Sequence, residues 1–199
     1  MLRLGVTTRR MRTTHEQRDG LATDWGRFLQ HVLPDIPWIP LPNTEQAVLA
    51  VVKHFEINAL VLSGGDDWGI FPERDYTETL LLDFAKTHAL PVLGVCRGAQ
   101  VINRFCGGCL EAVAPARHVT TRHSVQLATE KISVNSFHQF GIQPKGLGKN
   151  LSVVGMDEQG YIEAFAHNDL PWKGILWHPE REKIPAKHDR KLVRELFLT

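Results

Sequence analysis

The sequence predicts an α/β protein: a mostly parallel sheet with helices on both faces and short antiparallel additions. Three observations carry this. Apolar, β-branched runs at 2–6, 59–62, 91–95 and 174–177 have the length of buried strands. Segments of helical period fall between them, the alternation that builds a parallel sheet covered on both sides. Between about 110 and 165 the pattern changes to short alternating runs at 124–127, 152–156 and 161–165, which suit antiparallel strands.

Each element has its own signal. The helix predicted over 24–33 puts Trp25, Phe28, Leu29 and Val32 on one face, and that over 44–55 aligns Ala47, Val48, Val51, Val52 and Phe55 behind Asn43 as N-cap. Helices over 79–86 and 187–198 complete the alternation. After the run 91–95 the chain enters a further helix over 97–105, with Val101, Ile102 and Phe105 at helical spacing. The absence of a repeat or linker predicts a single domain over 1–199.

Composition narrows the class of function. Hydrophobic residues make up 43% and charged residues 23%, ordinary for a globular protein. The 23 Lys and Arg against 22 Asp and Glu give a net charge of +1, so no basic field invites nucleic acid. No stretch is long enough to span a membrane, residues 1–12 lack the apolar core of a signal peptide, and three cysteines suit a reducing compartment. The expectation is a cytoplasmic enzyme.

The chemistry concentrates at two junctions. Gly94-Val95-Cys96-Arg97-Gly98 holds a cysteine between glycines at a strand-to-helix turn, the thiol form of the nucleophile elbow. There the helix N-terminus favours thiolate. The second run, ending at Trp177, leads into His178-Pro179-Glu180. A residue before proline stays extended, and side chains two apart in extended chain share a face. Glu180 is thus placed to orient His178, and His178 to take the Cys96 proton. Cys106-Gly107-Gly108-Cys109 offers one pair of thiols where a structural zinc site wants two, so no metal and no cofactor are expected.

Gly-Val-Cys-Arg-Gly-Ala-Gln at 94–100 and Trp-His-Pro-Glu at 177–180 resemble the two signatures of the class I glutamine amidotransferase superfamily. The resemblance extends over essentially the whole chain. It implies a flavodoxin-like, Rossmann-like sheet and a Cys96–His178–Glu180 triad. It also implies an oxyanion hole from the backbone N–H groups of Gly64, Gly65 and Arg97, with Gly64 and Gly65 in the turn Ser63-Gly64-Gly65. Arg74-Asp75-x-x-Glu78 and Asn135-Ser136-Phe137-His138 are similar to motifs of the γ-glutamyl hydrolase branch. That similarity implies substrate binding by Arg74, Asp75, Glu78, Ser136, Phe137, His138 and Gln100. The longer pattern from Ser63 through Glu78 resembles a narrower group within the branch, enzymes that hydrolyse γ-glutamyl-CDP-amidate while decorating bacterial capsules.

In sheets of this kind ligands bind outside the carboxyl ends of the strands. That rule selects Arg9, Arg10 and Arg12 after the first strand. Together with Arg117, His118, Arg122 and His123, they are candidates to hold a pyrophosphate. The resulting expectation is a cysteine hydrolase of a small-molecule, nucleotide-linked γ-glutamyl amide, with a homodimer compatible. Its rivals are a glutaminase subunit serving a separate synthase, a γ-glutamyl-GABA-type hydrolase, and a silent binding module.

Overall fold

The computed structural model describes residues 1–114 and 118–199. In chain order the strands are β1 (Leu4–Thr7), β2 (Arg9–Arg12), β3 (Gln17–Gly20), β4 (Trp38–Leu41), β5 (Ala59–Leu62), β6 (Val92–Val95) and β7 (Glu111–Ala112). They continue as β8 (Val119–Leu127), β9 (Lys131–Phe137), β10 (Phe140–Gly141), β11 (Leu151–Asp157), β12 (Ile162–His167) and β13 (Trp172–Ile175). The helices are α1 (Thr23–Val32), α2 (Val48–His54), α3 (Pro72–Thr87), α4 (Arg97–Phe105) and α5 (Lys187–Leu198).

One nine-stranded sheet runs β4-β1-β5-β6-β13-β12-β11-β8-β9. The first five strands are mutually parallel and the remainder antiparallel. The sheet is therefore the mixed one that the strand patterns predict. Strand alternation divides the core in two. Ala59 and Val61 of β5 pack with α1 and α5 on one face, while Leu60 and Leu62 pack with α2, α3 and α4 on the other.

Several elements depart from the sequence expectation. Trp38–Leu41 forms β4 although it contains Pro40; it lies at the sheet edge, where a missing N–H breaks no central ladder. Residues 9–12, which follow the first strand, pair with 17–20 in a hairpin that no sequence pattern announced. Asn43 does not cap a helix. Its side chain donates to the Thr8 carbonyl and to Asp19 Oδ1, and a 3-10 turn at Glu45–Ala47 precedes α2. Helix α3 begins at Pro72, seven residues before the expected 79, because charges that look like a loop in sequence are paired and buried there.

The chain order of β5, β6 and β13 sets out the site. These adjacent parallel strands end on the same side, so the Gly64-Gly65 turn, Cys96 and His178 meet above their carboxyl ends.

Candidate active site

Cys96 stands between β6 and α4 at φ 51°, ψ −108°, a conformation that a non-glycine residue adopts only under strain. Its N–H donates to the Ile175 carbonyl of β13 at 2.7 Å, which holds the turn down. The flanking glycines are required by space. A Cβ on Gly98 would lie 2.0 Å from the Leu62 carbonyl oxygen, and one on Gly94 2.7 Å from the Gly98 and Ala99 backbone.

His178 leaves β13 in an extended conformation, and Glu180 returns to it from a 3-10 turn, Pro179–Arg181, rather than from continuing extended chain. The His178 Nδ1–H donates to Glu180 Oε1 at 2.7 Å, which leaves Nε2 for the thiol. Asn135 of β9 brackets this residue: it accepts from the His178 N–H at 2.9 Å and donates to the His178 carbonyl at 2.9 Å. Phe137 sets its ring edge-on to the imidazole, 5.7 Å between centroids.

The two reactive groups pull each other toward the ionised pair. Burial pushes the Cys96 thiol up, but the charge and hydrogen bond of His178, joined by His138, hold it below the ordinary thiol value. Burial likewise opposes the charge on His178, yet Cys96 and Glu180 push it up to about 9.

Arg74, Asp75, Glu78 and Arg97 form a buried ionic network behind the turn, and of the four Arg97 alone also lines the cavity. The Arg97 guanidinium pairs with Asp75 Oδ1 and Glu78 Oε2. Arg74 Nε and the Thr7 hydroxyl both donate to Glu78 Oε1. Burial would raise the Glu78 carboxyl, but the two guanidiniums hold it below its ordinary range. Arg74 Nη2 also donates to the carbonyls of Ser63 at 2.9 Å and Gly64 at 3.1 Å. In a trans peptide the next N–H points the opposite way. Pinning these two carbonyls therefore turns the Gly64 and Gly65 N–H groups away from Arg74. Gly64 packs against the imidazole so closely that a Cβ would sit 2.6 Å from His178 Cε1.

A cavity of about 470 Å³ opens over Cys96. Its wall includes Gly65, Arg97, Gln100, Phe137, His138 and His178, with Arg9, Asp66, Asp67 and Arg181 also bordering it. Gln100 is fixed by donating to the Phe140 carbonyl at 2.8 Å. The Arg181 guanidinium lies over the Phe137 ring at 4.2 Å, and Arg9 pairs with Asp66 at 3.0 Å.

The other expected binding residues lie elsewhere. Ser136 donates its hydroxyl to the His118 carbonyl and does not line the cavity. Arg10 donates to the Asn43 carbonyl, Arg12 is exposed on the β2–β3 hairpin, and Arg122 pairs with Glu182. His118 and His123 turn toward Glu163. Of the basic residues suggested for a pyrophosphate, only Arg9 borders the cavity, and Arg117 lies outside the described residues. Sequence reasoning missed Asn135 as the clamp on His178, and Asp67 and Arg181 in the wall. Asn135 and Asp67 stand inside the motifs already quoted, and Arg181 directly follows one. Cys106 and Cys109 are free thiols at the turn after α4, and Cys106 is pushed up by burial.

Residues 35–199 match the class-I glutamine amidotransferase family. The chain belongs to that family. The chain is 33% identical over 202 residues to the γ-glutamyl-CDP-amidate hydrolase of Campylobacter jejuni, covering 98% of this chain and 96% of the relative. It is 28% identical over 126 residues to anthranilate synthase component 2 of Azospirillum brasilense, covering 60% and 63% of the two chains. Its fold matches the crystal structure of a glutamine amidotransferase from Thermotoga maritima with a TM-score of 0.65 at 16% identity, over 99% of this chain and 82% of the other.

Proposed function

We propose that the protein hydrolyses a γ-glutamyl amide through a Cys96–His178–Glu180 triad, with γ-glutamyl-CDP-amidate as the substrate. The observation that carries the mechanism is the strained elbow cysteine whose thiol is held low by a buried, Glu180-oriented imidazole. The observation that favours this substrate is the near full-length likeness to the Campylobacter hydrolase.

Cys96 Sγ attacks the γ-carbonyl carbon. The oxyanion meets the N–H groups of Gly64, Gly65 and Arg97, the last at the start of α4 where helix donors are unpaired. His178 then gives its proton to the departing nitrogen as the C–N bond breaks, leaving a glutamyl thioester on Cys96. Water, losing a proton to His178, attacks that thioester and releases glutamate and the thiolate. The wall offers charges of both signs to a glutamyl head: Arg181, ordered over Phe137, for the α-carboxylate, and Asp67 for the α-ammonium. Arg9 at the rim is the cation available to an anionic leaving group.

The test is glutamate release by the isolated protein from γ-glutamyl-CDP-amidate, γ-glutamyl-GABA and glutamine. The expected result is fast turnover of the nucleotide conjugate, poor turnover of glutamine, and a loss of roughly 10⁴-fold in Cys96→Ala. Slow glutaminase activity alone, raised by an added synthase, would replace this reading with that of an ammonia-supplying subunit.

A further inference from the structure

Three histidines and a glutamate converge behind the cavity wall, to which His138 itself belongs, and the triad chemistry uses none of their mutual contacts. Glu163 of β12 is fully buried. His138 Nε2 approaches its Oε1 at 3.3 Å, His123 Nε2 its Oε2 at 3.4 Å, and His118 Nδ1 its Oε1 at 3.9 Å. One ligand atom each from His118, His123 and Glu163 lie within 4.8 Å of one another.

These separations are long for charge-assisted hydrogen bonds, which run about 2.7–2.9 Å. The 3.4 Å from His123 Nε2 to Glu163 Oε2 matches the ligand–ligand edge of a tetrahedron around zinc, about 3.3–3.4 Å for bonds of about 2.0–2.1 Å, and the 3.9 Å from His118 is wider than that edge. The outward nitrogens are arranged as metal-bound imidazoles require. His138 Nδ1–H donates to the Phe140 carbonyl at 3.0 Å, which turns its Nε2 toward the carboxylate. His118 presents Nε2 to Asp157 at 3.5 Å, which leaves Nδ1 for the centre. His118 thus aims a buried Nδ1 lone pair at a buried carboxylate, and a cation between them satisfies both. His118 and His138 are both almost fully buried, and neither of these inward nitrogens has a hydrogen-bond partner among the described residues. A surface cavity of about 340 Å³ has His123 and Asp157 in its wall and provides an entry path.

We propose that His118, His123 and Glu163 form a three-ligand site for a zinc-class divalent ion, with His138 beside it against Glu163. Three protein ligands leave the fourth position of a tetrahedral ion to water. The ion ties β8 and the residue before it to β12. Through the contact of Glu163 with His138 it steadies the Phe137–His138 edge of the cavity, and it adds positive charge behind Cys96.

Metal analysis of the full-length protein, stripped with a chelator and reloaded with zinc, tests this without any substrate. The expected stoichiometry is one zinc per chain, with a rise in melting temperature on reloading. Glu163→Gln is expected to reduce the stoichiometry to near zero, and Asp157→Asn to weaken binding by about 10–100-fold. Cobalt loaded into the unaltered chain serves where a variant fails to fold. It is expected to give the visible bands of a tetrahedral site without thiolate-to-cobalt charge transfer. Less than one-tenth of an equivalent after reloading would overturn the proposal. So would binding that survives Glu163→Gln, or that is lost on replacing Cys106 and Cys109 with serine.

Discussion

Cys96 and His178 titrate as a pair, and their shifts have opposite signs. The thiol lies below its ordinary value, so thiolate persists to lower pH than in a free cysteine. The imidazole is raised to about 9, so its proton stays until the solution is distinctly alkaline. His178 stabilises the fold through this charge fully below its unfolded value of about 6.5 and loses the contribution as pH rises through about 9. The thiolate contributes above the unfolded thiol value and loses its contribution as pH falls through its own lowered one. Alkylation of Cys96 by iodoacetamide, followed against pH, is expected to set in below the range of a free thiol, about 8.5. In His178→Gln it should move up to or beyond that range, because burial then acts on the thiol without its partner. An unchanged profile would remove His178 from the activation of Cys96. These residues were legible because each stands beside a strong local signal, a glycine-flanked elbow and a proline-fixed turn. Asn135 was not, because its role is two hydrogen bonds to the backbone of a residue 43 positions away.

At the scale of elements, the start of α3 carries the clearest difference between sequence and structure. Arg74, Asp75 and Glu78 look like substrate ligands or a solvated helix end when read along the chain. In the fold, Arg74 and Glu78 are one helical turn apart and Arg97 arrives from α4, so the charges neutralise one another in the interior. Only the packing of α3 on α4 makes that pairing, and no local pattern records it. Removing one member leaves the others uncompensated. Glu78→Ala is therefore expected to lower unfolding stability by about 3–5 kcal/mol in urea titration. Arg9→Ala, at a half-exposed pair, should change it by less than about 0.5 kcal/mol. Equal effects would mean that the network carries no special share of the stability.

Over the whole molecule, the parallel half of the sheet was readable because each of its main strands is a continuous apolar run buried on both faces. The edge strand β4 and the hairpin β2–β3 were not, since one contains a proline and the other is mostly exposed and charged. Strand order is what turns this architecture into a site. Cys96 and His178 are 82 positions apart in sequence, and the parallel pairing of β6 with β13 brings them together. The central claim is that this meeting point forms a covalent glutamyl intermediate on Cys96. Its most direct test is to quench a reaction with γ-glutamyl-CDP-amidate in acid during the first turnovers and weigh the peptide that carries residue 96. The account predicts the mass of one glutamyl group on Cys96 in the unaltered protein and none in Cys96→Ala. Undiminished glutamate release from Cys96→Ala, with no adduct in either protein, would contradict it.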